Sequence, residues 1–327
     1  MKAIRQYEVG PAETLLFEDA PDPVAGPGQL LIRVRAAGVH LLDAAIRAGT
    51  AGDHPFAGPA LPMTPGREVA GVVEAVGDGV DSSWVGRRAV THLGIASGGY
   101  AELAVREAEA VHPIPDGLGE AEAVALIGTG RTAIGILDVA ALTGDDVVLV
   151  TAAAGGIGSL LVQAAANVGA TVVAAAGGGK LDQIKNVAPQ AITVAYDEPG
   201  WAEAVRTALS GREITVAFDS VGGEAGRAAL DLLGIGGRFI MFGWSSGTVT
   251  ELDADDIYAK ALEVTVALGP RMLARPGGLR SLETEALAEG AAGRLIALTQ
   301  VYPLAEAAAA HTALENRGTV GKAVLVP

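Results

Sequence analysis

The chain has 327 residues, half of them hydrophobic, and a net charge of −15. That is enough apolar material for two domains with substantial cores, and it argues against disorder. The acidic balance argues against a nucleic-acid surface, which needs a clustered basic face. Cysteine is absent, so disulfides and thiolate metal ligands are excluded.

The first 121 residues read as mostly β. After Met1 the chain leads into a strand-like segment with no apolar signal region, from which a cytoplasmic protein is expected. Leu30–Ala36 alternates as a half-buried strand does, and Val69–Val76 and Arg88–Thr91 are further strand candidates. Asp22-Pro23, Gly26-Pro27-Gly28, Gly77-Asp78-Gly79 and Pro115-Asp116-Gly117 mark turns. Gly49–Pro65, rich in proline and glycine, reads as a long loop, either a lid or a plain surface excursion.

Near residue 122 the period changes. Glu122–Leu142 reads as a helix. It is followed by a β-branched run at Val147–Thr151, a glycine-rich turn at Ala153–Gly158, an alanine- and leucine-rich helix to about Val168, and a strand over Thr171–Ala175. No charge occurs between Asp146 and Lys180. A membrane span is the rival reading, but Gly155, Gly156, Gly158, Gln163, Asn167 and Gly169 interrupt the run. Strands at Ala191–Ala195, Ile214–Asp219, Arg238–Phe242 and Glu263–Leu268 alternate with helices near Trp201–Leu209, Glu224–Leu233 and Asp253–Ala261. The pattern predicts an α/β fold with a doubly wound parallel sheet over residues 122–270. Residues 271–327, with a helix near Leu304–Glu315 and a strand over Lys322–Val326, are expected to return to the first domain, residues 1–121.

The glycine turn lies where a dinucleotide pyrophosphate would sit. Backbone N–H groups of Ala154, Gly155, Gly156, Ile157 and Gly158 face a phosphate closely only if side chains stay out of the way. Ala153 replaces the first glycine of G-x-G-x-x-G, and a ligand-free connecting turn is the plain alternative. NAD sites usually carry a carboxylate about 20 residues beyond this turn. Here none occurs before Asp182, whereas Lys180 supplies a cation, so NADPH is the expected cofactor. The five histidines, His40, His54, His92, His112 and His311, form no close pair in the sequence, and no metal is expected.

An ordered series of blocks now resembles the zinc-independent quinone oxidoreductases of the medium-chain dehydrogenase/reductase superfamily. The blocks are Pro65–Gly71, Gly99–Glu102, Pro113–Leu118, Ala153–Gly158, Val216–Gly223, Gly236–Gly243 and Gly321–Leu325. The resemblance implies a GroES-like, mostly β domain beside a Rossmann domain. It implies that Lys180 and Tyr196 bind the 2′-phosphate, and that Thr132, Gly243, Ser245 and Lys322 lie near the rest of the cofactor. Gly66-Arg67-Glu68 stands where the metal-dependent relatives have Gly-His-Glu, and His40-Leu-Leu-Asp43 where this family commonly has Asn-x-x-Asp. His40 is therefore a candidate proton donor or substrate hydrogen-bonding group, and Asp43 and Arg67 are candidate pocket residues. Asp43 is expected to fix local backbone or Arg47. Without a Lewis acid, a quinone or activated alkene is the acceptor that best delocalises an incoming hydride's charge. The implied activity is NADPH-dependent quinone or enone reduction by a homodimer paired along the edge strand Leu262–Leu268. An enoyl reductase of one metabolite, or a noncatalytic NADPH-binding protein, is the alternative.

Overall fold

The structure, a computed structural model, describes residues 1–50 and 60–327. The expected loop Gly49–Pro65 and His54 therefore fall partly or wholly outside the described residues. Contacts divide the chain into two compact units. One comprises Met1–Thr129, Ala286–Ala291 and Ala297–Pro327; the other comprises Gly130–Glu285 and Ala292–Ile296.

The first unit is built on antiparallel strands, apart from the parallel pair β14–β15. β1 (Lys2–Gln6) and β2 (Leu15–Asp19) form a two-stranded sheet. The larger sheet contains β3 (Gln29–Gly38), β4 (Glu68–Val76), β5 (Arg88–His92), β6 (Leu103–Glu107), β7 (His112–Pro113), and from the tail β14 (Thr299–Pro303) and β15 (Lys322–Val326). Its order is β14-β15-β3-β4-β5-β7, with β6 also paired to β3. Alternate residues of β3 point inward: Leu30, Ile32 and Val34 join Ile4, Val69, Val73, Tyr100 and Leu325 in one core. Two cross-strand pairings align the polar residues at one end of this sheet. Gly38 faces Glu68 across β3–β4, and Glu68 faces His92 across β4–β5.

The second unit holds a six-stranded parallel sheet of β8 (Val147–Val150), β9 (Thr171–Ala176), β10 (Ile192–Ala195), β11 (Ile214–Asp219), β12 (Leu233–Met241) and β13 (Glu263–Val266). The order β10-β9-β8-β11-β12-β13 is, counted from β8, the 3-2-1-4-5-6 order of a dinucleotide-binding sheet. Val147–Val150 is buried throughout, which is why it reads as an unbroken apolar run. β13 is the edge, as expected for the strand at Leu262–Leu268, though it is shorter.

The expected domain limits shift. Residue 121 lies inside a helical stretch, α1 being Leu41–Ala48, α2 Glu120–Ala125 and α3 Arg131–Ala140, with a π-helical turn over Leu126–Gly130 between the last two. α2 packs on β3 and β4, so it stays with the first unit although composition changes earlier. The return also comes later than residue 271. Arg275 pairs with Asp138 and Glu285, and Arg131 pairs with Glu283 at 2.7 Å, which keeps residues 271–285 in the second unit. One helical stretch, Glu120–Ala140, is long and apolar enough to cross a membrane; two thirds of its apolar window is buried in the protein.

Candidate active site

The second unit gathers most of the expected cofactor residues at the carboxyl ends of its strands, where open α/β sheets bind ligands. Ala154–Gly158 follow β8, Lys180 follows β9, Tyr196 follows β10, and Gly243 and Ser245 follow β12. The turn after β8 is tied back to the sheet by Ala153 N–H donating to Ala175 O at 3.0 Å. Ala152 adopts φ 48°, a left-handed conformation that lets the chain reverse. Gly155 caps α4 (Gly156–Asn167), whose first N–H groups have no acceptor within the helix. The structural demand for glycine is sharper at Gly158 than at Gly155. A Cβ on Gly158 would lie 2.3 Å from Ala152 O and 2.9 Å from Ala153 Cα, whereas one on Gly155 would lie 3.2 Å from Ala152 O. These residues fit a pyrophosphate at the start of α4.

Ser245 N–H donates to Ser220 O at 3.0 Å, joining the loops after β11 and β12. Beneath them Asp219, fully buried, accepts from Thr250 Oγ1 at 2.6 Å and from the N–H groups of Val221 and Gly222 at 3.0 and 3.1 Å. Asp219 thus shapes the loop beside the predicted cofactor path. Thr132 lies in the first turn of α3, which precedes β8 in the chain. Tyr196 stacks edge-on against Trp201, with centroids 6.5 Å apart.

Lys322, expected near the cofactor, is ion-paired with a carboxylate of its own unit. It lies in the first unit, 5% exposed, with Nζ 2.8 Å from Glu68 Oε2. The other oxygen of Glu68 lies 2.7 Å from His40 Nε2. Glu68 is fully buried, and two glycines make room for it. A Cβ on Gly38 would approach Oε2 to 2.2 Å, and one on Gly128 would approach Oε1 to 1.6 Å. Burial would raise the Glu68 carboxyl; the charges of His40 and Lys322, with the His40 contact, outweigh it and hold the group far below the usual carboxylate range. His92 joins the same place, its ring centroid 6.3 Å from that of His40. The expectation of no close histidine pair is thereby corrected: the register Gly38–Glu68–His92 brings together in space what 51 intervening residues separate in the chain. Ligand atoms of His40, Glu68 and His92 all lie within 4.8 Å of one another.

Asp43 holds His40 from behind. Its Oδ2 accepts the His40 N–H at 2.9 Å and the Tyr100 hydroxyl at 3.2 Å. Its cation is Arg67, Nε at 3.5 Å, and not Arg47, which instead pairs with Glu315 and donates to Gly10 O. Arg67, 5% exposed, is thus a structural cation beside Asp43. Tyr100 Oη also meets His311 Nε2 at 3.1 Å. Burial, then Asp43, pushes the Tyr100 phenol well above its usual value, so it remains a donor. Burial pushes the His311 imidazole down to about 4, against the opposing pull of Asp43.

Glu68 and His92 were not among the residues predicted from sequence. The available signal was a charged residue opening an apolar strand, Glu68-Val69-Ala70-Gly71-Val72-Val73. A carboxylate inside such a run must be paired.

Comparisons with known proteins bear on the family and the fold. The family model described as alcohol dehydrogenase GroES-like domain matches residues 26–116, and that described as zinc-binding dehydrogenase matches residues 156–278. The chain is 31% identical over 329 residues to the quinone oxidoreductase of Pseudomonas aeruginosa, covering 100% of this chain and 99% of that one. It is 31% identical over 340 residues to a 2-haloacrylate reductase of a Burkholderia species, with coverage of 100% and 99%. The solved structure of Escherichia coli quinone oxidoreductase complexed with NADPH has a TM-score of 0.85 and 28% identity, covering 100% of both chains.

The second family description names zinc, and the donors here fit it poorly. Both oxygens of Glu68 are engaged, and a divalent cation bound by His40, Glu68 and His92 would adjoin the buried Lys322 ammonium.

Two outcomes test this cluster. Lys322→Met leaves Glu68 buried with His40 alone, and should lower unfolding stability by about 3 kcal/mol. Adding Glu68→Gln should recover part of that loss in urea titrations; a Lys322→Met variant as stable as the parent would refute the pairing. For His311, the folded value of about 4 lies below the unfolded 6.5. The unfolded chain binds the extra proton between those values, so this contribution is full above about pH 6.5 and is lost as pH falls toward 4. It amounts to ~3 kcal/mol. His311→Gln should flatten that part of the stability–pH curve, which an unchanged slope would contradict.

Proposed function

The chain belongs to the quinone oxidoreductase family of the medium-chain dehydrogenase/reductase superfamily, and on that premise we propose that it is an NADPH-dependent, zinc-free reductase of quinones or activated alkenes. The observation that carries the reading is the strand-end array of the second unit. There Gly155–Gly158 open α4 while Lys180, Tyr196, Gly243 and Ser245 follow neighbouring strands. The reduced dinucleotide, when bound, supplies the hydride. The N–H groups opening α4 would hold the pyrophosphate, with Gly158 keeping the helix against the turn. Lys180 would attract a 2′-phosphate, and that attraction supports NADPH over NADH.

A quinone that takes one hydride needs one proton to become the quinol; an activated alkene needs that proton on the carbon next to the activating group. His40 is proposed as the donor or as the hydrogen bond that steadies the acceptor. Glu68 fixes its ring through Nε2, and Asp43 fixes its backbone, so the imidazole is held from both sides. Enoyl or enone reduction of a particular metabolite is the second enzymatic reading, supported by the likeness to the 2-haloacrylate reductase.

We also propose a homodimer formed along β13, whose edge position leaves backbone groups for a second sheet. A cytoplasmic location is part of the same reading.

Purified protein should oxidise NADPH in the presence of 1,4-benzoquinone well above the enzyme-free rate. His40→Ala should lower turnover by about 10²-fold if His40 is the proton donor. Absence of turnover with simple quinones and with α,β-unsaturated carbonyl compounds, alongside clear NADPH binding, would replace the enzyme by a binding protein. Light scattering at micromolar concentration should give a dimer mass; a monomer would refute the β13 pairing.

A further inference from the structure

An NAD-binding sheet of this order normally presents a carboxylate at the end of its second strand, where it accepts hydrogen bonds from the adenosine ribose. Along the chain that carboxylate is missing, because β9 ends in Ala174-Ala175-Ala176 and leads into Gly177-Gly178-Gly179-Lys180. Across the sheet it is present. β10 runs parallel to β9 with Ala195 beside Ala176, so residues just beyond Ala195 emerge next to the glycine turn. Asp197 places both oxygens on Gly178 N–H, at 3.0 and 3.2 Å. A Cβ on Gly177 would lie 3.3 Å from Asp197 Oδ2, and one on Gly178 would lie 3.8 Å from Asp197 Oδ1 and 3.9 Å from Glu198 Oε1. Two carboxylates therefore face the turn that carries Lys180.

We propose that Asp197 is a specificity-determining residue that gives this chain a working NADH site. The proposal rests on the reading that this strand edge binds a nicotinamide dinucleotide, and it concerns which one. A carboxylate has about four acceptor positions, so Asp197 keeps Gly178 N–H and still accepts from ribose hydroxyls. The same charge opposes a 2′-phosphate, which carries close to two negative charges at neutral pH, as other phosphate monoesters do. Lys180 draws the phosphate in while Asp197 and Glu198 push it away. The result is a chain that favours NADPH only modestly and still takes NADH, and Asp197 sets the ratio. Asp197 is exposed, so the effect is screened by salt.

The test is Asp197→Asn, which keeps an oxygen for Gly178 N–H and removes only the charge. Asp197→Ser serves as a second variant at the same exposed position. Calorimetric titration should give the parent protein dissociation constants for NADH and NADPH within about tenfold of each other. In Asp197→Asn the ratio should move toward NADPH by about tenfold, equivalent to ~1.4 kcal/mol. Adenosine 5′-monophosphate and its 2′-phosphorylated derivative, titrated in the same way, should show the same change in ratio, and 0.5 M salt should shrink it. A ratio unchanged by both substitutions, with both cofactors still binding, would overturn the role of Asp197 and leave the dinucleotide site standing. Parent protein that binds NADPH far more tightly than NADH would also overturn it. Failure of either cofactor to bind would instead remove the dinucleotide reading itself.

Discussion

A carboxylate buried in a β-sheet has to be neutralised, and Glu68 is where the first unit meets that requirement. Desolvation of an ion costs several kcal/mol even after relaxation. The sheet answers with one cation from β15 and one imidazole just beyond β3, and with glycines at 38 and 128 that vacate the space the carboxylate occupies. Because β15 comes from the end of the chain, the tail is a structural component of this unit: Lys322 completes a set of paired groups that begins at His40. His40 is consequently held from two directions, by Glu68 at its ring and by Asp43 at its backbone, with Tyr100 and Arg67 in turn holding Asp43. An imidazole so held is suited to directed hydrogen bonding, since little conformational freedom remains to be lost when a ligand arrives.

The second unit solves a different problem. Parallel strands deliver every strand end to one edge, so loops distant in sequence become neighbours there. Close contact of Gly158 with Ala152 and Ala153 keeps α4 against β8, and the Ala153–Ala175 hydrogen bond sets the turn relative to β9. Asp219 does for the β11 loop what the glycines do for the β8 loop, using hydrogen bonds in place of missing side chains.

Much of this was legible in the sequence. Val147–Thr151, Trp201–Leu209, Ile214–Asp219 and Lys322–Val326 emerge within a residue of their expected limits, because apolar runs bounded by glycine carry their own end signals. β2, β6, β7 and β14 did not stand out. β2, Leu15-Leu16-Phe17-Glu18-Asp19, lacks alternation, and β7 is only two residues long. The helix Gly278–Ala291 was also missed, since its buried Leu282, Ala286 and Leu287 form a short stripe among charged residues. For the site, the glycine turn and Lys180 were readable as local patterns. Glu68, His92 and Asp197 were not, since their partners lie across strands, at Gly38 and His40, at Glu68, and at Gly178. Register decides such pairings, and register is a property of the sheet.

The same chemical group therefore does opposite work in the two units, and burial decides which. Glu68 is shut away from water, so its interactions with His40 and Lys322 are weakly screened and bear on stability. Asp197 is open to solvent, so its charge contributes little to folding but acts on whatever anion approaches the Gly177–Gly179 turn. The buried pairings of Glu68 tie its charge to the fold around His40, whereas the role proposed for Asp197 ties its charge to binding. A scan of charged residues along the chain cannot separate these cases, because both carboxylates sit at strand ends beside glycine and differ only in what covers them.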